Sequence, residues 1–599
     1  MSKSASIFGE KRRDVNSCYI DALQETSLDS PANVPSWKNA ENTLQSRSVF
    51  PVSAFVIMGA AFAVIVPFFF LGSPSGHDFE FHMFSWMEVV QQWKQGIFFP
   101  RWATYAHWTF GEARFLFYPP ASWNLGALLG SVLPWQLTSG AYVWVALIAS
   151  GFSMFLLARR WFNRSDAIFA AVLYAVNPYH LVIVYWRSAL AELLAGCLIP
   201  LVLLYAVRSE EEGPRVILPL GLVVAAAWLT NAPSAVMVNY SIALLLLIIA
   251  IVRRNARVLI HGTVAVVLGA ALAAFYLVPA GYEQKWINLS QVLAPGVRPL
   301  DNFLFTSIHD ADHNHFNLFM SIVAVAEILV AGVMLWDLRR TRNSQSFPWW
   351  LLAIWSGIAT LLMCRFSYVL WEILPELRFV QLPWRWLLCL NVPLALAATA
   401  VMRRWWMRSV LYLAMVALLL ILWNRVQQPW WDNAADLAEM QDAIQDGSGY
   451  EGTDEYVPSG ADPYDLNKNA PLVAVVGRDR AHIRILDWGP QLKRFTAEVS
   501  RSENLRLRLF YYPAWRVEVN GVPIVAKTQA HTGEILVPVE TGISEVRVKF
   551  IQTPDRFWGG MISLISLVLA VTLMFYQRRG SWSWTDAART PSRPRASTN

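Results

Sequence analysis

The sequence predicts a mainly α-helical, polytopic membrane protein of about twelve spans, with a β-sandwich-like region near its C-terminus. Three observations predict it. Apolar runs of bilayer-crossing length recur along the chain, and Lys and Arg cluster between those runs. Beyond residue 481, polar and apolar side chains alternate in short stretches separated by turn signals such as Asn520-Gly521. Composition agrees, with 55% of residues hydrophobic, 15% charged, and 29 Trp that suit interfacial aromatic belts better than a soluble core. The net charge of +6 falls in the clusters between runs, and no basic face with stacking platforms emerges, so no nucleic-acid partner is expected. The four cysteines include no CxxC pair, which supports neither a zinc knuckle nor a disulfide framework. A P-loop, a Gly-x-Ser-x-Gly elbow and an HExxH helix are all absent, which argues against an ATP-driven pump and against covalent hydrolysis.

Taken in order, residues 1–48 are polar, carry Lys11, Arg12 and Arg13, and precede a run without a small-residue cleavage site. They read as a cytoplasmic tail before an uncleaved helix. A transmembrane domain over 49–424 follows, with apolar runs at 49–71, 138–158, 166–184, 188–207, 215–230, 233–252, 257–280, 316–336, 347–364, 383–402 and 409–424. The shorter run 121–135, bounded by Pro119, Pro120 and Pro134, reads as a half-helix dipping in from one side. With that run excluded and the N-terminus inside, every basic cluster faces the cytoplasm, from Arg159/Arg160/Arg164 to Arg578/Arg579. The expected location is thus a bacterial inner membrane, multi-pass, with both termini cytoplasmic. The long mixed segments 72–137, 281–315, 365–382 and 425–556, and the short 185–188, then share the external face. Within the first, 81–95 reads as an amphipathic helix in the interface plane. Segment 425–556 starts helical and acidic, becomes Gly/Asp/Pro-rich over 446–465, and then reads as strands of a small external domain. Residues 557–576 tether it to the membrane, and 577–599 form a second cytoplasmic tail.

Candidate chemistry concentrates on the external face. Gly76-His77-Asp78-Phe79-Glu80-Phe81-His82 follows the first run directly, and Asp78 and His82 share a helix face at i, i+4. Asp78 and Glu80 are read as the catalytic acids, suited to a general base or to ligation of a divalent cation (Mg or Mn) beside a phosphate leaving group. The alternative for Asp78 is a helix N-cap. The substrate-binding set is His82, Arg101, Glu112, Arg114, Tyr118, Arg187, Glu192 and Arg385. Its arginines match lipid phosphate bidentately, or else anchor at the interface beside the acids. His309, Asp312 and His313 form a further metal candidate within a histidine-rich loop, although their spacing matches no strong zinc signature. Tyr450 to Tyr456 reads either as a sugar-binding segment or as a structured loop.

These motifs resemble the GT-C superfold of polytopic glycosyltransferases, most closely the bacterial YfhO-like proteins labelled 6-pyruvoyl-tetrahydropterin synthase-related. The stretches that carry the resemblance are GHDFEFH at 76–82, FGEARFLFYPP at 110–120, YWRSALAE at 185–192 and VQLPWRWL at 380–387. YEGTDEYVP at 450–458, FYYPAWRVEVNG at 510–521 and PDRFWGGMISLISL at 554–567 complete the set. The resemblance implies transfer of a sugar from a polyprenyl-phosphate donor to an envelope glycan or lipid acceptor, with Asp78 as the loop acid and Glu80 as the second acid. After the fifth run this chain has Thr230-Asn231 where the resemblance implies a histidine. The pterin label finds no three-histidine zinc site. The alternative function is a non-catalytic lipid-linked glycan transporter, polymerase partner or glycan-binding protein. Transport would place charges deep inside several spans, and the sequence reads most ionisable groups at span ends.

Overall fold

The computed structural model describes residues 52–341, 348–425, 431–477 and 481–587. The N-terminal tail with Lys11, Arg12, Arg13 and Cys18 lies outside the described residues, as does the end of the C-terminal tail. Among the described residues nine helices are long and apolar enough to cross a membrane, or up to eleven when two bent pairs count as single spans. The bent pairs are Arg257–Leu272 with Ala274–Trp286, at 76°, and Trp349–Met363 with Arg365–Ile373, at 90°. The expectation of twelve counted 188–207 and 215–230 separately. The count of nine to eleven takes them together as one helical stretch, Leu190–Thr230. It turns at Gly213, whose φ of +56° suits glycine. The helix Leu190–Gly196 touches the helix Ile217–Thr230, which a straight rod of this length, about 60 Å, would hold far apart.

The basic loops are laced together at one end of the bundle. Arg160 pairs with Glu211, Arg253 with Glu210 at 3.2 Å, and Arg408 with Asp166. At the opposite end, the chain leaving the first span pairs with the chain leaving the helix Trp405–Arg425, Ser73 opposite Asp432 and Pro74 opposite Trp431.

The half-helix Pro120–Val132 has 13 residues, about 20 Å, too short to cross. It packs on the helix Phe79–Lys94, where Trp86 lies so close to Gly126 that a Cβ there would fall inside the indole ring. Gly126→Ala is therefore expected to cost about 1–3 kcal/mol through overpacking, read as a lowered thermal midpoint. The sequence reads residues 81–95 as an amphipathic helix, and the structure packs protein over its polar side as well. The helix is buried on most of its circumference, polar His82, Ser85, Glu88 and Gln92 included, because the half-helix covers one side and the helix Ala434–Gln445 another.

The β-rich region forms two antiparallel sheets. One orders Val473–Val475, Glu503–Phe510, Glu534–Val539 and Lys527–Thr528. The other orders His482–Trp488, Leu492–Val499, Gly542–Phe550, Trp515–Val519 and Val522–Ile524. Asn520 and Gly521, both at positive φ, make the tight hairpin that their sequence announces. Leu505, Leu507, Ile535 and Val537 from one sheet share a core with Phe495, Ala497, Val546 and Val548 from the other. Trp102, Phe110 and Leu116, from the first external loop, complete that core. Trp102 meets Tyr512, Trp515 and Phe550, and the Phe510 N–H donates to the Phe110 carbonyl at 3.0 Å. The described residues from Ala54 onward form one compact unit.

Candidate functional site

The Gly76-His77-Asp78 turn lies directly against the backbone of 186–188, with no room for a Cβ at Gly76. The span Arg164–Arg187 is broken there. It pauses at Asn177-Pro178, winds through a π-turn at Ile183–Arg187, and ends on Ser188 in the left-handed region at φ 50°. The turn is held by the Asp78 N–H on the Arg187 carbonyl at 2.9 Å and by the Gly76 N–H on Ser188 Oγ at 3.0 Å. Two motifs more than 100 residues apart thus place Asp78 beside Arg187.

Asp78 stands at the N-cap position of the helix Phe79–Lys94 but its side chain makes no capping bond. Its Oδ1 meets His77 Nδ1 at 3.1 Å instead. Burial would raise its pKa, but the His77 hydrogen bond and the Arg187 charge outweigh it and hold the carboxyl well below the usual range. His82, one turn on, is buried, its Nε2 has no partner among the described residues, and burial pushes its pKa down to about 4. Tyr118 packs on Phe81 and His82, with ring centroids at 4.7 and 6.0 Å, and feels the Asp78 charge.

Behind this pair sits Glu192, 1% exposed. Its Oε2 accepts from Arg187 Nη1 at 2.7 Å and from Arg385 Nε at 3.0 Å, and its Oε1 accepts from the Tyr179 hydroxyl. Arg385 also donates to the Val380 carbonyl at 2.7 Å, and Arg187 lies over the Trp384 ring at 4.7 Å. Six sequence candidates, Asp78, His82, Tyr118, Arg187, Glu192 and Arg385, therefore form one neighbourhood. A carboxylate and two guanidiniums are its core.

The other candidates lie elsewhere. Glu80 is exposed, close enough to Asp432 for the two charges to interact. Glu112 and Arg114 form a buried pair at 2.5 Å, joined by His107 at 3.0 Å, by the Thr453 N–H at 2.8 Å and by Ser85. Arg114 and then His107 offset burial and hold the Glu112 carboxyl down at about 2. Arg101 lies in a third place, over the Phe99 ring and near Glu283, Asp555 and Arg556, with burial lowering its pKa to about 10. In the histidine-rich loop, Asp310 accepts from the Asp312 and His313 N–H groups at the start of the helix Ala311–Thr341, and His313 Nε2 meets the Asp301 carbonyl. Among the described residues no three His, Cys, Asp or Glu side chains gather to hold a metal ion. Asn231 caps the helix Ala232–Arg253 through the Ser234 N–H. The Tyr450–Tyr456 segment stacks inward, Tyr450 on Phe84 and Tyr456 on Phe117.

Sequence reasoning assigned no role to two buried acids. Glu327 lies near the middle of the helix Ala311–Thr341, 3% exposed, accepting from the Tyr179 N–H at 3.2 Å and from Asn391 Nδ2 at 2.9 Å. A lone acid inside the apolar run 316–336 was its signal, and it is an exception to the reading that most ionisable groups lie at span ends. Glu88, fully buried, accepts from the Tyr450 hydroxyl at 2.8 Å and from Thr104 N–H and Gln92, and burial raises its pKa to about 7. Because this value lies above the unfolded 4.5, the stability Glu88 contributes is fully present below about pH 4.5 and is lost as pH rises through 7. Thermal midpoints measured from pH 5 to 8 should therefore fall for the wild type and fall less for Glu88→Gln.

A model of the 6-pyruvoyl-tetrahydropterin synthase related domain, described as a membrane protein, matches residues 115–428, just over half of the chain. That range holds Tyr118, Arg187, Glu192 and Arg385, while Asp78 precedes it. Two solved structures of the arabinofuranosyltransferase AftD from Mycobacteria, one of them a mutant, align at 18% and 17% identity with TM-scores of 0.39 and 0.37. They cover 66% and 65% of this chain, and this chain spans 28% and 27% of theirs. No curated protein matches the chain. From the family model, the chain belongs to the 6-pyruvoyl-tetrahydropterin synthase related family of membrane proteins.

Proposed function

We propose that this protein transfers a sugar from a polyprenyl-phosphate-type donor to an envelope glycan or lipid acceptor at the extracytoplasmic membrane face. The single observation that carries the reading is the convergence of Asp78 with Arg187 and Arg385 around Glu192. Phosphate leaving groups need fixed positive charge, and a planar guanidinium supplies it with directional donors. In the proposed step the acceptor oxygen bonds to the anomeric carbon while the bond from that carbon to the phosphate oxygen breaks. The acceptor proton passes to Asp78, and the lipid phosphate departs against the arginines. A low pKa at Asp78 keeps the base ionised, and proton transfer then follows only as the acceptor hydroxyl acidifies in the transition state. Glu80 is exposed and a three-donor metal set is lacking among the described residues, so no step is routed through a metal. The ion-paired basic loops support a cytoplasmic assignment for that end, and with it an external site and cytoplasmic termini.

Glu327 favours a second reading, since a mid-span carboxylate is what a lipid-linked glycan transporter would carry. One experiment separates the two. The protein in nanodiscs is incubated with a panel of radiolabelled polyprenyl-phosphate sugars and an acceptor extract, with and without EDTA. Sugar transfer supports the transferase, and EDTA sensitivity would bring a metal back into the site. Donor binding without turnover would favour transport.

A further inference from the structure

A second cleft lies away from Asp78. The C-terminal ends of the helices Phe79–Lys94, Pro120–Val132 and Ala434–Gln445 converge there, and Trp135, first residue of the span Trp135–Ala158, closes the gap. The cleft holds about 400 Å³ over a buried floor of Met87, Val90 and Ile444. Half-buried Trp93 and Trp135 wall it. The Trp93 indole N–H donates to the Phe98 carbonyl at 3.0 Å, which fixes that ring. The Trp135 ring lies on the bare backbone of Gly130, where a Cβ would collide with it. Two flat apolar faces are therefore set in place before a ligand arrives.

The polar lining differs from that of the first site. Gln91, Gln441 and Gln445 face the cleft, and their side-chain amides make no hydrogen bond among the described residues. Among the described residues Lys94 is the sole charged one lining it. An amide donates and accepts alike, as a sugar hydroxyl does. Indole faces take the C–H surface of a sugar ring. An anionic ligand would call for an arginine fork or several cations, and a wholly apolar one would leave three amides desolvated and unpaired. We infer that this cleft binds a neutral oligosaccharide, with sugar rings on Trp93 and Trp135 and hydroxyls on the glutamines. Trp135 heads an apolar span, which puts the glycan at the membrane boundary. Along the helix axis the cleft end lies about 24 Å from Asp78, so the sugar held here is several units from one reacting there. The name acceptor for this glycan rests on the transferase reading, whereas the binding does not involve Asp78.

The test titrates the nanodisc-embedded full chain with mannotetraose, maltotetraose and arabinotetraose, read by saturation-transfer NMR, with a heparin-derived tetrasaccharide as the anionic comparison. The wild type should bind at least one neutral probe. The double variant Gln441→Ala/Gln445→Ala, and separately Gly130→Ala, should bind it about tenfold more weakly. Ser131→Trp, at an exposed position lining the cleft, should abolish binding with an unchanged thermal midpoint. Asp78→Asn should bind as the wild type does, so loss of transfer with retained binding fells neither idea, and absent transfer with retained binding fells only the transferase. Failure of the wild type to bind any neutral probe would overturn the inference. So would unaltered binding by Ser131→Trp, or preference for the sulfated probe.

Discussion

Replacing Asp78 by Asn should lower sugar transfer by about 10²- to 10⁴-fold, the usual worth of a positioned general base. The substitution keeps the shape of the side chain and leaves the main-chain bond to Arg187 intact. Helix capping is not what it removes, because the Asp78 carboxylate accepts no N–H from the first turn. A cap would show as a loss of about 1 kcal/mol in stability with no change in rate. The proposed base predicts a collapsed initial rate, measured with the labelled donor, on top of the stability lost with a carboxylate that His77 and Arg187 hold ionised. Equal rates in both proteins would remove Asp78 from the chemistry.

Glu192→Ala carries the largest expected effect on stability. Glu192 is the shared counter-charge of Arg187 and Arg385, all three being nearly or wholly buried. Deleting it leaves two desolvated guanidiniums facing each other and frees the Tyr179 hydroxyl. Breaking a buried pair in this way costs about 3–5 kcal/mol, and two cations share this one anion. Denaturation in nanodiscs should show a loss of that size. Glu192→Gln should retain the Tyr179 contact and recover part of it. Donor affinity is expected to fall in both variants, since the arginines lose the group that aims them. A loss below about 1 kcal/mol would mean that Asp78 already neutralises Arg187.

The sequence by itself determined which segments are apolar enough to cross a bilayer, since twenty or so uncharged residues can satisfy their backbone there only as helix. It also determined the strand alternation beyond residue 481 and the Asn520-Gly521 hairpin. Tertiary structure alone decided the partners. Glu88 meets Tyr450, Glu112 meets Thr453, and Glu283 takes Arg556 bidentately at 2.7 and 2.8 Å, each across more than 200 residues of chain. No periodicity reports such pairs, because helical and strand patterns record only which face of an element is apolar. For the same reason the helix Phe79–Lys94 read as interfacial: its polar face looks solvent-bound in sequence and is covered by elements from elsewhere in the chain. The break that turns Arg187 inward was equally illegible, since a π-turn and a left-handed serine have no composition of their own. They persist only where surrounding packing and hydrogen bonds outweigh the local strain.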